Sequence, residues 1–186
     1  MRLRKTCIPG CFEITPYIQR DHRGVFVKTF NLDAFSNHGL ETFYAEEYYS
    51  CSNRRVLRGL HFQNPPREHT KIVYCAAGEI FDVVVDLRLH SPAYGQFESF
   101  VLDGRARNTV YIPPGCAHGF YVFSEYAVVV YNVTTVYCPE LDGGIRWDSV
   151  DIPWPDKNPI ISERDKNLAP LADLNNLFNV FNSIKC

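Results

Sequence analysis

The chain has 186 residues, 46% hydrophobic and 22% charged, which is the balance of a globular protein long enough to bury a sizeable core as one domain, 1–186. A formal charge of −2 supplies no basic field, which argues against nucleic acid or an anionic membrane surface as a partner. No apolar run reaches the roughly 18 residues of a membrane span, and the basic start MRLRKTCIPG leads into no apolar segment, so the expectation is a cytoplasmic chain without a signal peptide.

Short runs rich in Val, Ile, Phe, Tyr and Thr follow one another from residue 12 to about 138. GVFVKTF (24–30) comes first, and NLDAFSNHGL (31–40) interrupts it as a short helix with Asn31 as its cap and Gly39 at its end. HTKIVYCAAG (69–78), EIFDVVVDLRL (79–89), FESFVL (97–102), NTVYIPPG (108–115) and YAVVVYNVTTVY (126–137) continue the β pattern. Turn residues separate them at Ala77–Gly78, HSPAYG, LDGRARN and PELDGG. No β–helix–β alternation occurs, so the expected class is mainly β: an antiparallel sandwich or barrel with a core of about 10–165. In the tail 166–186, Leu171, Leu174, Leu177, Phe178, Phe181 and Ile184 recur at helical spacing after Pro170, which predicts a C-terminal helix packing on its own domain or on a dimer mate.

The seven cysteines, at 7, 11, 51, 75, 116, 138 and 186, include no CxxC pair, and most read as small buried hydrophobes in a reducing compartment. RGLHFQ (58–63) is more specific, since it sets His61 inside a run that otherwise resembles a buried strand. A lone histidine there is most often a satisfied core residue, so its meaning depends on what converges on it. Alternation puts Lys71, Val73 and Cys75 on one strand face, and Ile80, Asp82, Val84, Asp86 and Arg88 on one face of the next run. Those polar residues face either solvent or a polar cavity. IPPGCAHGF (112–120) turns His118 into the following strand, Tyr131 and Tyr137 share a face, and SERD (162–165) sets Asp165 in a loop before the tail. A base, an acid and a cation at strand ends suit proton transfer beside a carbonyl. Pro113, Gly115 and His118 form half of the cupin metal pattern, but the other half reads His61-Phe62-Gln63 instead of His-x-His, so no metal or other cofactor is expected. The alternative is a metal-dependent cupin isomerase or oxygenase using His61 and His118.

DHRGVF (21–26), VLRGLHFQ (56–63), KIV (71–73), GEIFDVVVDLR (78–88), SPAYG (91–95), IPPGCAHGF, VYNVTTVY (130–137) and SERD together resemble the dTDP-4-dehydrorhamnose 3,5-epimerase family, in order from about residue 10 to 170. The resemblance implies a cupin-type jelly roll, a homodimer, no metal, and a 4-keto-6-deoxy sugar nucleotide as substrate in the making of deoxysugars for surface polysaccharides. It implies His61 as the base with Asp165 as its partner, Lys71 at the enolate oxygen and Tyr131 as the acid on the opposite face. It also implies Arg23 and Arg58 at the diphosphate, with Phe26 and Lys28 on the Arg23 run, His118 lining the sugar pocket and Tyr137 stacking on the base. Strict alternation would turn Arg58 away from His61, so a bulge at Gly59 is expected. Where relatives commonly carry Gln and Asn before the RGLH motif, this chain has Glu46 and Tyr48, and Lys28 replaces a usual Glu. An ionised carboxylate only accepts hydrogen bonds, so Glu46 leans the expected substrate toward a CDP- or GDP-linked sugar over a dTDP-linked one.

Overall fold

The structure is a computed structural model and describes residues 1–174. Its strands are β1 (Arg2–Lys5), β2 (Phe12–Thr15), β3 (Tyr17–Asp21), β4 (Gly24–Lys28), β5 (Glu46–Asn53), β6 (Leu57–Gln63), β7 (Lys71–Ala77), β8 (Glu79–Asp86), β9 (Phe97–Asp103), β10 (Thr109–Ile112), β11 (Cys116–Val122), β12 (Tyr126–Val133) and β13 (Asp142–Gly144). They form a six-stranded sheet, β1-β2-β10-β7-β12-β5, and a five-stranded sheet, β13-β6-β11-β8-β9, with antiparallel neighbours in both. The class is mainly β, an antiparallel sandwich as the strand runs and turn spacing predict, and of the jelly-roll kind that the resemblance implies. β3 and β4 make a separate hairpin.

Gly78, at φ +85°, carries the chain from β7 in one sheet to β8 in the other. A Cβ there would lie 2.2 Å from the carbonyl oxygen of Tyr126, so only glycine permits the crossing. The strict alternation of β8 then serves two cores. Ile80 and Val84 pack between the sheets with Val73, Phe100, Phe120 and Val129, while Val83 and Val85 pack on the far face with Leu60, Ile145, Ile152 and Leu174. Burial on both faces explains why this strand reads as an almost continuous apolar run.

The two aspartates of that run do not face solvent. Asp82 and Asp86 are both fully buried. Asp86 accepts from Arg88 Nε at 2.8 Å and from Ser91 Oγ at 2.6 Å, and Arg88 also reaches the carbonyl of Pro9. This pair fixes the SPAYG turn and stays out of the pocket described below, whereas Asp82 meets His118, which lines that pocket. A cavity explains one aspartate, and a structural clamp explains the other.

α1 (Leu32–Ser36) is capped by Asn31, whose side chain accepts from the N–H of Ala34 at 2.9 Å, and Gly39 follows it at φ +68°. Its Phe35 packs with Leu40, Ile14, Ile72 and Tyr111 on the outer face of the six-stranded sheet. A second short helix, α2 (Glu163–Lys166), occupies the SERD segment expected as a loop, with Ser162 as its cap. Of the predicted tail helix, Leu171 and Leu174 pack beside the five-stranded sheet, and residues 175–186 lie outside the described residues.

Candidate active site

β6 and β11 bring His61 and His118 to paired positions, and between that pair and Arg58↔Phe120 the register slips by one residue on β6. The slip is the bulge expected at Gly59. Gly59 has φ +129°, and a Cβ on it would meet the Cα of Gly119 at 2.5 Å. The bulge turns Arg58 to the same side as His61, and both line one cavity of about 420 Å³. That volume is in the range of small-molecule sites.

The other end of the site is fixed by α2. The cap at Ser162 presents Asp165, whose Oδ1 lies 2.8 Å from Nε2 of His61 and whose Oδ2 accepts from the N–H of Gly59 at 3.3 Å. Burial alone would raise the pKa of Asp165, but the hydrogen bond and charge of His61, then the Gly59 N–H and Arg164, hold it below the ordinary carboxylate value. An ionised carboxylate has no proton to give, so Nε2 of His61 must donate. The other ring nitrogen, Nδ1, therefore carries the lone pair. Arg164 Nη1 stands 3.3 Å from the same Nε2, and its Nη2 is paired with Asp142 at 2.7 Å.

His118 has its own carboxylate, with Nε2 2.7 Å from Oδ2 of Asp82, and the two side chains are 4% and 0% exposed. No three His, Cys, Asp or Glu side chains among the described residues are grouped to hold a metal ion. Gln63, in the second half of the broken metal pattern, is turned to structural work: Oε1 accepts from the N–H of Cys138 and Nε2 donates to the carbonyl of Arg67.

The six-stranded sheet supplies the opposite wall. Lys71 begins β7, is 7% exposed and donates from Nζ to the carbonyl of His61 at 3.3 Å. Burial lowers its pKa to about 8 against the raising effect of Asp142 and Asp82. Tyr131 on β12 is 8% exposed, and its phenol is pushed well above its ordinary value, chiefly by burial, so it stays protonated. Its ring stacks on Tyr48 at 4.9 Å and meets His118 edge-on at 6.0 Å. A flat ring held between the sheets would have His61 on one side and Tyr131 on the other. The arrangement can remove a proton from one face, steady the resulting charge and return a proton to the other.

Of the residues singled out in the sequence, His61, Lys71, His118, Tyr131, Arg58, Glu46, Tyr48 and Tyr137 line this cavity, and Asp165 lies directly behind His61. Tyr137 does so from beyond the end of β12, not by strand alternation with Tyr131. Arg23, Phe26 and Lys28 do not: they lie on the exposed β3–β4 hairpin, where Phe26 is 57% exposed. Sequence reasoning missed His69, Asp142 and Arg164, which also line the cavity. Arg164 lies inside the SERD motif, and Asp142 is masked by its turn-like neighbours in PELDGG. His69 is held neutral, with a pKa lowered to about 3 by burial and by Lys71.

A model of dTDP-4-dehydrorhamnose 3,5-epimerase matches residues 5–173. The chain belongs to the dTDP-4-dehydrorhamnose 3,5-epimerase family. It is thereby an isomerase. Among curated relatives of that name, the protein of Methanothermobacter thermautotrophicus is 43% identical over 92% of this chain and 95% of its own length. The protein of Salmonella typhimurium is 39% identical over 91% and 94%. Among solved structures, NovW, a 4-keto-6-deoxy sugar epimerase from the novobiocin gene cluster of Streptomyces spheroides, superposes with a TM-score of 0.92 at 38% identity, covering 96% of this chain and 91% of its own. ChmJ, a 3'-monoepimerase from Streptomyces bikiniensis, superposes at 0.88 with 29% identity over 94% and 89%, as a double mutant with a histidine and a tyrosine replaced, in complex with dTDP. The membership agrees with a jelly roll of the cupin type. No helix among the described residues is long and apolar enough to cross a membrane.

The lowered pKa of Lys71 yields a pH dependence. Its cation exists below about pH 8 and is lost above it, so a reaction that needs the cation should slow as pH rises through 8. Lys71→Gln is expected to lose roughly 100-fold in kcat and to abolish that alkaline limb in a pH–rate profile.

Proposed function

We propose that this chain inverts C3, C5 or both of a nucleoside-diphosphate-4-keto-6-deoxy sugar. The observation that carries the reading is His61 on one sheet, backed by Asp165 of α2, opposite a buried, protonated Tyr131 on the other sheet, with Lys71 between the layers. The name of NovW, a 4-keto-6-deoxy sugar epimerase, supports the sugar class, and the complex of ChmJ with dTDP supports a nucleotide-linked substrate. A ketone at C4 acidifies the hydrogens at C3 and C5. His61 Nδ1 takes such a hydrogen as a proton, the C–H electron pair forms the carbon–carbon double bond of the enolate, and the C4 oxygen takes the negative charge beside Lys71. Tyr131 then gives its phenolic proton to the opposite face of the carbon, and the ketone re-forms. Asp165 stabilises the imidazolium in the interval. His118, steadied by Asp82, lines the sugar, and Arg58, whose Nε already donates to Ser52, directs its remaining N–H groups to the diphosphate.

We further propose a homodimer in which the β3–β4 hairpin serves the partner's cavity. Among the described residues the hairpin pairs with no other strand and exposes Tyr17, Val25 and Phe26, and Arg23 stands outside its own chain's pocket. A second copy is the simplest source of an arginine at the mouth.

The chemistry is tested by NMR in heavy water with a 4-keto-6-deoxy sugar nucleotide. His61→Asn is expected to remove both solvent exchange and inversion. Tyr131→Phe should retain part of the exchange while inversion falls, since His61 can return the proton to the face it came from. Equal loss of both in Tyr131→Phe would refute separate acid and base. A chelator should leave the rate unchanged; loss on chelation and recovery with a divalent ion would favour the metal-dependent alternative.

The dimer is tested by mixing. Arg23→Ala and His61→Asn chains, each weakly active or inactive alone, should regain activity when re-associated together, because the hybrid has one complete site. Absence of any recovery would return Arg23 to its own chain's cavity or to no site at all.

A further inference from the structure

A phenolic O–H turns about its C–O bond, and an acid that delivers to one face of a sugar needs that turn fixed. The strand beside Tyr131 supplies two neighbours. Tyr131 pairs in register with Tyr48 of β5, and Ser50 stands opposite Val129, one diagonal step from Tyr131 on the same face of the sheet. Tyr48 and Ser50 both line the cavity with Tyr131. The Tyr48 ring, stacked at 4.9 Å and 19° from parallel, holds the plane of the Tyr131 ring. Stacking fixes a ring but not the direction of its O–H.

Ser50 can fix that direction. Its Oγ is buried, and it closes no hydrogen bond of full geometry with any described residue. A buried hydroxyl left so is costly, which makes its hydrogen available to whatever group it faces. Burial raises the pKa of the Tyr131 phenol, and the Ser50 hydroxyl opposes that rise by favouring the phenolate. Only a donor favours an anion, so Ser50 gives its hydrogen to the Tyr131 oxygen. A phenol that accepts on the Ser50 side turns its own hydrogen away from Ser50. Resting on the epimerase reading above, we infer that Ser50 is a positioning residue for the acid: its hydroxyl aims the Tyr131 proton at the sugar and holds the phenolate left behind. In the transfer the phenolic O–H bond breaks, its hydrogen bonds to carbon, and the electron pair stays on the Tyr131 oxygen. Ser50 keeps its own O–H bond throughout.

Heavy-water NMR of the full chain with a 4-keto-6-deoxy sugar nucleotide counts exchange and inversion separately. Ser50→Ala is expected to lower inversion roughly tenfold or more. Exchange should fall less, because His61 still removes the proton and can return it to the same face, so the ratio of exchange to inversion rises. Ser50→Cys, close in size but a weaker donor, should shift the ratio the same way and serves if the alanine chain does not fold. Placed in a Tyr131→Phe chain, either substitution should leave the remaining exchange unchanged, because the group that Ser50 aims is gone. Equal loss of exchange and inversion would overturn the inference, as would a further loss of exchange in the Tyr131→Phe chain, since a hydroxyl that binds substrate or supports the strand acts without Tyr131. Full inversion in Ser50→Ala would overturn it while sparing the epimerase. No exchange in the unaltered chain would sink the epimerase reading itself.

Discussion

The hydrogen bond between Nε2 of His61 and Asp165 is the constraint on which the site depends. It joins residues 104 positions apart and ties α2 to the face of the five-stranded sheet. Asp165 is 3% exposed, and a buried carboxylate is costly unless its oxygens are satisfied. Here they are satisfied by an imidazole on one side and by the Gly59 N–H on the other. The same aspartate thus orients the His61 imidazole and holds the strand bulge that brings Arg58 round. The geometry of the site and the local fold rest on one carboxylate.

The sandwich makes that arrangement useful. Its two sheets set His61 and Tyr131 on opposing walls, and its dry interior weakens competition from water while strengthening each fixed charge. Burial then sorts the protonation states by residue type: the phenol of Tyr131 keeps its proton, Lys71 becomes easier to discharge, and His69 stays neutral. The cost is a set of polar groups inside an apolar body. It is met by pairing, with Asp82 on His118, Asp165 on His61 and Asp142 on Arg164.

Much of this was legible in the residues. The period-two pattern of β7, β8 and β12 carried both the fold class and the facing of Lys71, and Gly59 inside RGLHFQ signalled the bulge, because a glycine in a strand marks a place where a side chain does not fit. What alternation could not tell was which buried charge serves the site. Asp82 and Asp86 lie on one face of one strand, yet one meets His118 and the other closes a turn with Arg88. Arg164 and Asp142 escaped because their meaning is purely spatial: one sits in a one-turn helix, the other opens a three-residue strand, and they become part of the site only when α2 docks beside β13. The hairpin bearing Arg23 and Phe26 was legible as a motif but not as a position, since a strand pair attached to no sheet says nothing about whose cavity it reaches.

The account turns on the tautomer that Asp165 imposes on His61, and nitrogen-15 NMR of the histidine ring reads it directly. With the neutral imidazole, the account predicts a proton on Nε2 and a bare, unprotonated Nδ1 at His61. A proton on Nδ1 with Nε2 bare would contradict it, because the nitrogen assigned to take the substrate's proton would already be occupied.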